Sequence, residues 1–379
     1  ARGGRLVAVL HEGEATTGVM RAPGAPRVQT LASARLRAML SACATWVRHK
    51  PKDEGFEVVP AHVPDWAVND LGSRGQWAGI RPLEGVVECP VLRPDGTVLE
   101  RPGYDEATGL YYAPNGAYPA LPERPTQEEA RAACEALLEA VDDFPFEQPC
   151  HRAAWLAGLL TPFARYAFRG SVPLFLVDAN IRGAGKSLLT DCIAEVFGGR
   201  PMGGMTQATD DSEERKRITS LLLDGSPLLL IDNITRPLGS DALVMLLTRE
   251  EWSDRALGGN EAVRLPNSAV WYATGNNVQL RGDMGRRVVH IRLRSPDEQP
   301  ERRTGFRHNP LLAWVRQERL RLAACALTVL RAYCAAGRHG AGELSPWGSF
   351  DAWSSLVRGA LVWAGQPDPG EARDDLVQV

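Results

Sequence analysis

Lysine is nearly missing from this chain. Of 43 basic residues only four are lysines (Lys50, Lys52, Lys186 and Lys216), which leaves 39 arginines. A GC-rich genome accounts for the bias, and it gives weight to any lysine that falls inside a motif. Long apolar runs are also absent, which excludes a membrane-spanning helix. No basic segment followed by an apolar stretch opens the chain, as a secretory signal would. The chain begins at Ala1 rather than Met, so it reads as a fragment with chain missing upstream. Its seven cysteines (43, 89, 134, 150, 192, 325 and 334) form no CxxC and no Cys/His pair at zinc spacing. An odd count in a long chain fits reduced thiols in a cytoplasm. Net charge is also small, at −3 from 43 basic and 46 acidic residues. Any nucleic-acid surface must therefore be a local patch rather than a global field. What the chain does have is length and apolar content. Its 379 residues suit two or three domains, and 44% apolar residues can bury a sizeable core.

The segment 1–125 is rich in Pro and Gly, carries 14 basic and 14 acidic residues, and reads as a small α+β accessory domain. Leu31–Val47 has helical spacing. Asp95-Gly96 between Val91-Leu92 and Val98-Leu99 signals a hairpin. Residues 126–170 read as a helical collar or linker. Thr126 followed by Glu129 forms a capping box, Ala130–Val141 is periodic, and a second helix runs from about His151 to Phe168. Between 171 and 308 short apolar strands alternate with helices. The strands are Val172–Asp178, Pro227–Asp232, Ser268–Thr274 and Val288–Leu293, and the helices are Ser187–Phe197 and Asp241–Thr248. That alternation predicts an α/β fold with a parallel central sheet covered on both faces. From 309 to 379 the pattern becomes a C-terminal helical subdomain, with helices over Leu311–Ala336 and Phe350–Val362 and a polar, frayed tail from Gln366.

The stretch Asn180-Ile181-Arg182-Gly183-Ala184-Gly185-Lys186-Ser187 follows a strand and opens a helix. Small residues there let backbone N–H groups converge on phosphate oxygens, and the helix N-terminus adds a favourable dipole. Lys186 is placed to reach the β- and γ-phosphates and the Ser187 hydroxyl to ligate Mg²⁺, so the cofactors expected are ATP and Mg²⁺. Asn180 stands where the motif asks for Gly. Asn tolerates the positive φ that such a position can demand. Leu228–Asp232 then suits a strand whose terminal Asp232 holds the metal. The next residue is Asn233, where a Glu base is usual. Asn cannot take a proton, so either it orients the attacking water or one of Glu213, Glu214, Glu250 and Glu251 serves as base. The strand Ser268–Thr274 ends in Gly275-Asn276-Asn277, which puts an amide where it can meet a γ-phosphate. Arg286 and Arg287 follow ten residues on, as arginines suited to a neighbouring subunit's transition state.

This order of motifs, NIRGAGKS (180–187), LLLIDN (228–233), ATGNN (273–277) and GRR (285–287), resembles the AAA+ ATPases. It is most similar to the superfamily 3-like replicative helicases of phages and integrative elements. The resemblance covers roughly residues 171–308. It implies a P-loop AAA+ core in a homo-oligomeric ring, usually a hexamer, with ATP at subunit interfaces. By the same resemblance Lys186 and Ser187 belong to Walker A, Asp232 to Walker B, Asn276 is the sensor, and Arg286 or Arg287 the arginine finger. It also implies a pore hairpin before the sensor strand, within 252–267, where Gly258-Gly259 would turn and Arg255 and Arg264 would meet DNA phosphates. Residues 281–308 hold eight arginines against four acids, the most basic stretch of the chain.

The sequence therefore predicts an ATP-dependent DNA helicase or translocase acting on single-stranded or forked DNA in replication of a phage or mobile element. The resemblance leaves room upstream of Ala1 for a primase or polymerase domain. The alternative is a nucleotide-gated ring scaffold or loader with little turnover. A small-molecule phosphotransferase fits less well, because Asn276 and the Arg286/Arg287 pair have no place in it.

Overall fold

A computed structural model describes residues 1–10, 26–53, 55–255 and 262–373. At its centre lies a five-stranded sheet made of β1 (Leu174–Ala179), β2 (Gly203–Thr206), β3 (Leu228–Ile234), β4 (Val270–Asn276) and β5 (Val288–Leu293). The spatial order is β2-β3-β4-β1-β5, and every pairing is parallel. All carboxyl ends therefore share one edge, where Ala179 stands level with Asn276 on one side and Leu293 on the other.

The β1 strand shows why such a sheet needs near-continuous apolar sequence. Phe175, Val177 and Ala179 enter one core, while Leu174 and Leu176 enter another on the opposite face. The first core joins β1 to α1 (Gln127–Leu138), α2 (Pro149–Ala164), α3 (Lys186–Gly198) and the long α6 (Leu311–Ala335). The second packs α4 (Asp211–Asp224) and α5 (Asp241–Thr248) on the other face. Each fully buried Leu, Val or Phe in these layers is worth about 1.5–3 kcal/mol relative to exposure.

Before the sheet, Leu6, Leu36, Val63, Ala67 and Val68 form a small core of their own. Residues from Val87 to Tyr112 instead pack into the first main core. The expected hairpin of Val91–Leu92 and Val98–Leu99 is present, with Gly96 at φ +83° in its turn. Thr126 and Glu129 form the expected capping box at the start of α1.

Several boundaries differ from the sequence reading. The Leu31–Val47 helix is shorter, Ser33–Cys43, because Val47 pairs with Pro60 in a hairpin. The helical run from Asp351 to Trp363 is interrupted by a π-helical turn, Ser354–Arg358. The tail from Gln366 is not frayed throughout its described part. Asp368 accepts two 2.6 Å hydrogen bonds from the buried Arg358, and Ala372 is buried. Among the described residues no helix is long and apolar enough to cross a membrane.

Candidate nucleotide site

The loop 180–185 leaves the carboxyl end of β1, between β4 and β5, and runs into α3. Its glycines are there for backbone reasons. Gly183 and Gly185 hold φ of +79° and +93°, and a Cβ on Gly185 would lie 2.6 Å from Phe144 Cε1. Asn180 departs from expectation, because it is not among the residues with positive φ. Its side chain works as a clamp instead. Asn180 Nδ2 donates to the Ser295 carbonyl and its Oδ1 accepts from the Ser295 N–H, both at 3.0 Å. An amide with one donor arm and one acceptor arm suits the N–H and C=O of a single residue, so Asn180 ties the loop to the chain leaving β5.

Lys186, in the first turn of α3, donates from Nζ to Asn276 Oδ1 over 2.8 Å. Two sequence-predicted residues 90 positions apart thus meet at one edge. Burial pulls the Lys186 ammonium below the usual lysine range, and Asp178 and Asp232 partly oppose it. Ser187 is exposed beside Lys186.

Opposite them, β3 breaks its register with β4. Ile231 faces Ala273 and Ile234 faces Gly275, so β3 carries one extra residue at Asp232-Asn233. This bulge leaves both side chains exposed, and Asn233 takes φ +56°. Thr274 stitches it together, accepting from the Asn233 N–H at 3.0 Å and donating its hydroxyl to Asp232 Oδ1. Asp191, on α3 one turn beyond Ser187, has its carboxyl pushed up by burial and then by Asp232. Acids therefore gather where the motif calls for a cation. A serine hydroxyl and an exposed carboxylate at one edge are a hard-oxygen donor set that fits Mg²⁺.

A cavity of about 550 Å³ opens beside Gly183–Gly185, lined by Phe144, Pro145, Leu188, Pro296, Phe306 and Leu311 among others. Arg303 and Arg307 fasten its outer wall to α1 and the following turn. Arg307 donates to Asp142 and Glu139, each at 2.9 Å, and Arg303 donates to the Asp143 carbonyl. On this wall Glu301 leans on the loop, where a Cβ on Gly183 would sit 2.9 Å from Glu301 Oε2.

The remaining predicted residues lie elsewhere. Arg286 and Arg287 occupy a turn before β5, at the amino edge of the sheet opposite the loop. Both bind Asp283, but the Arg286 side chain is 71% exposed and that of Arg287 only 15%. Asp283 is held below the usual carboxylate range by these two hydrogen bonds. The expected hairpin exists as Glu251–Arg255 paired antiparallel with Ala262–Pro266. Its turn at Gly258-Gly259 and the Arg255 side chain lie outside the described residues. Arg264 is exposed beside the first residues of the chain, and a Cβ on Gly3 would meet its carbonyl oxygen. Trp252 Nε1 donates to Thr219 at 2.8 Å, which anchors the hairpin to α4. Among the proposed bases, Glu250 and Glu251 stand at the hairpin foot, at the amino edge of the sheet opposite the loop. Glu213 and Glu214 lie in the first turn of α4, on the loop's edge, and burial pushes the Glu214 carboxyl up.

Six of the eight arginines in the basic stretch 281–308 are paired with acids. Arg292 and Arg294 bind Glu147, Arg303 and Arg307 bind the acids before α2, and Arg286 and Arg287 bind Asp283. Further along, Arg316 pairs with Glu195, Arg319 with Asn115 and Arg321 with Glu318.

The sequence reading gave no role to Thr274, Asp191, Phe144 or Glu301. For Thr274 a signal existed, since it is a polar residue at the end of an otherwise apolar strand. The other three are brought in by tertiary packing.

No family model matches the chain, and no curated protein does. Solved structures similar to it include the A form apo structure of the NrS-1 C-terminal region, at 13% identity and a TM-score of 0.40, covering 77% of this chain and 68% of that one. Another is the SCCmec type IV Cch active helicase, at 12% identity and a TM-score of 0.38, with 97% and 72% covered. JCV helicase follows at 12% identity and a TM-score of 0.27, with 65% and 74% covered. At TM-scores this low they carry no argument, and the functional reading rests on the chain's own geometry.

Proposed function

We propose that this chain is an ATP-driven DNA helicase or translocase, working as a ring, with single-stranded or forked DNA as its track. The observation that carries the reading is the 2.8 Å contact of Lys186 Nζ with Asn276 Oδ1 at the carboxyl edge of a parallel sheet. A lysine on a glycine loop and an amide on the neighbouring strand tip together frame the place of a γ-phosphate. Mg²⁺, held by Ser187 and Asp232, supplies neutralisation of phosphate charge when bound. The apolar cavity beside Gly185 takes the nucleobase. Arg286 is too far from its own loop to help there, at the opposite edge of the sheet, so it serves a neighbouring copy. That arrangement supports a ring, for which six subunits is our expectation. The hairpin carrying Arg255 and Arg264, anchored on α4, is the DNA-facing element. Replication of a phage or mobile element, in the cytoplasm, is the setting this reading fits.

The test is ATP turnover by the full chain with and without single-stranded DNA. Turnover that rises with DNA and disappears in Lys186→Ala supports the motor. A second reading, the nucleotide-gated scaffold, is favoured by Asn233, which lacks a basic oxygen at the position of the usual carboxylate. It expects nucleotide binding and ring assembly with no turnover under any condition.

A further inference from the structure

All three guanidinium nitrogens of Arg292 donate, and to three separate segments. Nη1 donates to the buried Asp178 on β1. Nε donates to Glu147 Oε2 at 3.1 Å, and Nη2 donates to Asn277 Oδ1 at 2.9 Å. Asp178 is itself committed, since its Oδ1 accepts the Ala179 N–H at 2.9 Å and the Val278 N–H at 3.2 Å. Asn277 sits one residue beyond Asn276 in a left-handed turn at φ +47°. From there its N–H donates to the Ala179 carbonyl at 3.1 Å and its Nδ2 donates to the Asn180 carbonyl at 3.2 Å. Glu147 follows Phe144 and Pro145, which line the cavity, and its own N–H donates to the Arg292 carbonyl. One planar cation thus joins the strand entering the loop, the tip of the sensor strand and the linker whose Phe144 abuts Gly185.

We propose that Arg292 is a positioning residue which, through Asn277, holds Asn276 and the phosphate loop in register for a γ-phosphate. The proposal rests on the nucleotide reading given above. Geometry gives it content beyond a buried ion pair. The Asp178 pair alone would satisfy charge, yet the fork reaches on to Asn277, whose backbone direction fixes where Asn276 points. Asn276 is already on Lys186, so a drift of the tip moves the two groups that meet the terminal phosphate. ADP, which lacks that phosphate, is held by the loop backbone and does not depend on the tip.

The experiment compares ADP with ATPγS by fluorescence-monitored binding to the full chain, together with ATP turnover. Arg292→Ala strands a buried Asp178 and can simply unfold the protein. Asn277→Gly is the informative variant, because glycine accepts φ +47° and the Asp178–Arg292 pair remains. Hydrogen bonds to charged groups are worth about 1.5–3 kcal/mol, so loss of tip control is expected to cut ATPγS affinity, and turnover where there is any, by roughly 10–100-fold. ADP affinity is expected to stay within about threefold. Arg292→Lys, which keeps the charge and loses the fork, is expected to behave the same way. An unchanged ATPγS-to-ADP ratio in Asn277→Gly overturns the positioning role, as does an equal loss for both nucleotides. A wild-type chain that binds neither nucleotide overturns the nucleotide reading and this proposal together. ATPγS binding that is not weakened in Lys186→Ala points to the reading as the part at fault.

Discussion

Asn233 donates its backbone N–H to Thr274 Oγ1 over 3.0 Å from a position with φ +56°, inside a one-residue bulge of β3. This conformation gives a physical reason for an amide where a carboxylate base is usual. Asn enters the left-handed region at low cost, whereas Glu does not. We expect Asn233→Glu to destabilise the protein by about 1–2 kcal/mol without raising turnover, and Asn233→Gly to keep its melting temperature. If the side chain orients water, turnover by Asn233→Gly falls. Wild-type turnover in that variant shows that the amide matters for the turn alone.

A second prediction concerns the two loop glycines, which differ in what surrounds them. At Gly185 a Cβ meets the ring of Phe144 at 2.6 Å, so both backbone and packing oppose it. At Gly183 the neighbour is the flexible end of Glu301, and only the φ of +79° opposes substitution. Gly185→Ala should therefore lose nucleotide affinity and melt earlier, while Gly183→Ala costs about 1 kcal/mol. Adding Phe144→Ala to Gly185→Ala relieves the clash but not the dihedral strain. Partial recovery of affinity in the double variant, by titration, checks that division.

Much of this was legible in advance because it is local. Strand–loop–helix order, the capping box at Thr126 and the apolar runs of β1, β3 and β5 follow from neighbouring residues. The bulge at Asp232-Asn233 and the use of Asn180 as a clamp on Ser295 were not. Each depends on a partner about 40 or more positions away, Thr274 and Ser295 respectively. Periodicity carries no record of such a pairing. The pairing within the basic stretch was hidden for the same reason, since the acids that hold Arg292, Arg294, Arg303 and Arg307 lie before α2.

Glu301 gives a third prediction. An exposed carboxylate against Gly183 opposes an incoming triphosphate, and at a few ångströms in a solvated site that is worth about 1 kcal/mol. Glu301→Gln should tighten ATPγS binding about fivefold at low salt. The gain should shrink above roughly 0.5 M salt, where screening operates within a few ångströms. A salt-independent change would assign the effect to packing instead.

Asp191 offers a pH test whose sign is fixed. Its folded pKa lies above the unfolded value, because burial and Asp232 disfavour the anion. The ionised form thus destabilises the apo protein at neutral pH, fully above the folded pKa, and the penalty vanishes below the unfolded one. Asp191→Asn should raise the melting temperature at pH 7 and lose that advantage as pH falls from the raised folded pKa to the ordinary Asp value. Mg²⁺ with nucleotide should shrink the advantage too, because a cation held by Ser187 and Asp232 would offset the Asp232 charge that Asp191 faces.

The two arginines before β5 separate a catalytic role from a structural one. Arg287 is 15% exposed and donates to both the Asp283 carbonyl and its carboxylate at 2.7 Å, so Arg287→Ala should lower the melting temperature. Arg286, at 71% exposure, loses only a surface pair with Asp283 when truncated, which is worth little. Its removal should leave folding and the nucleotide affinity of a single subunit unchanged. If it reaches a neighbour's site, turnover of the assembled protein drops by about 10³-fold or more. Mixing is the decisive measurement. Arg286→Ala has an intact loop and Lys186→Ala an intact finger, so a mixed ring forms some complete sites. Recovery of turnover on mixing two inactive variants requires that the arginine act across the subunit boundary, and its absence confines Arg286 to the surface.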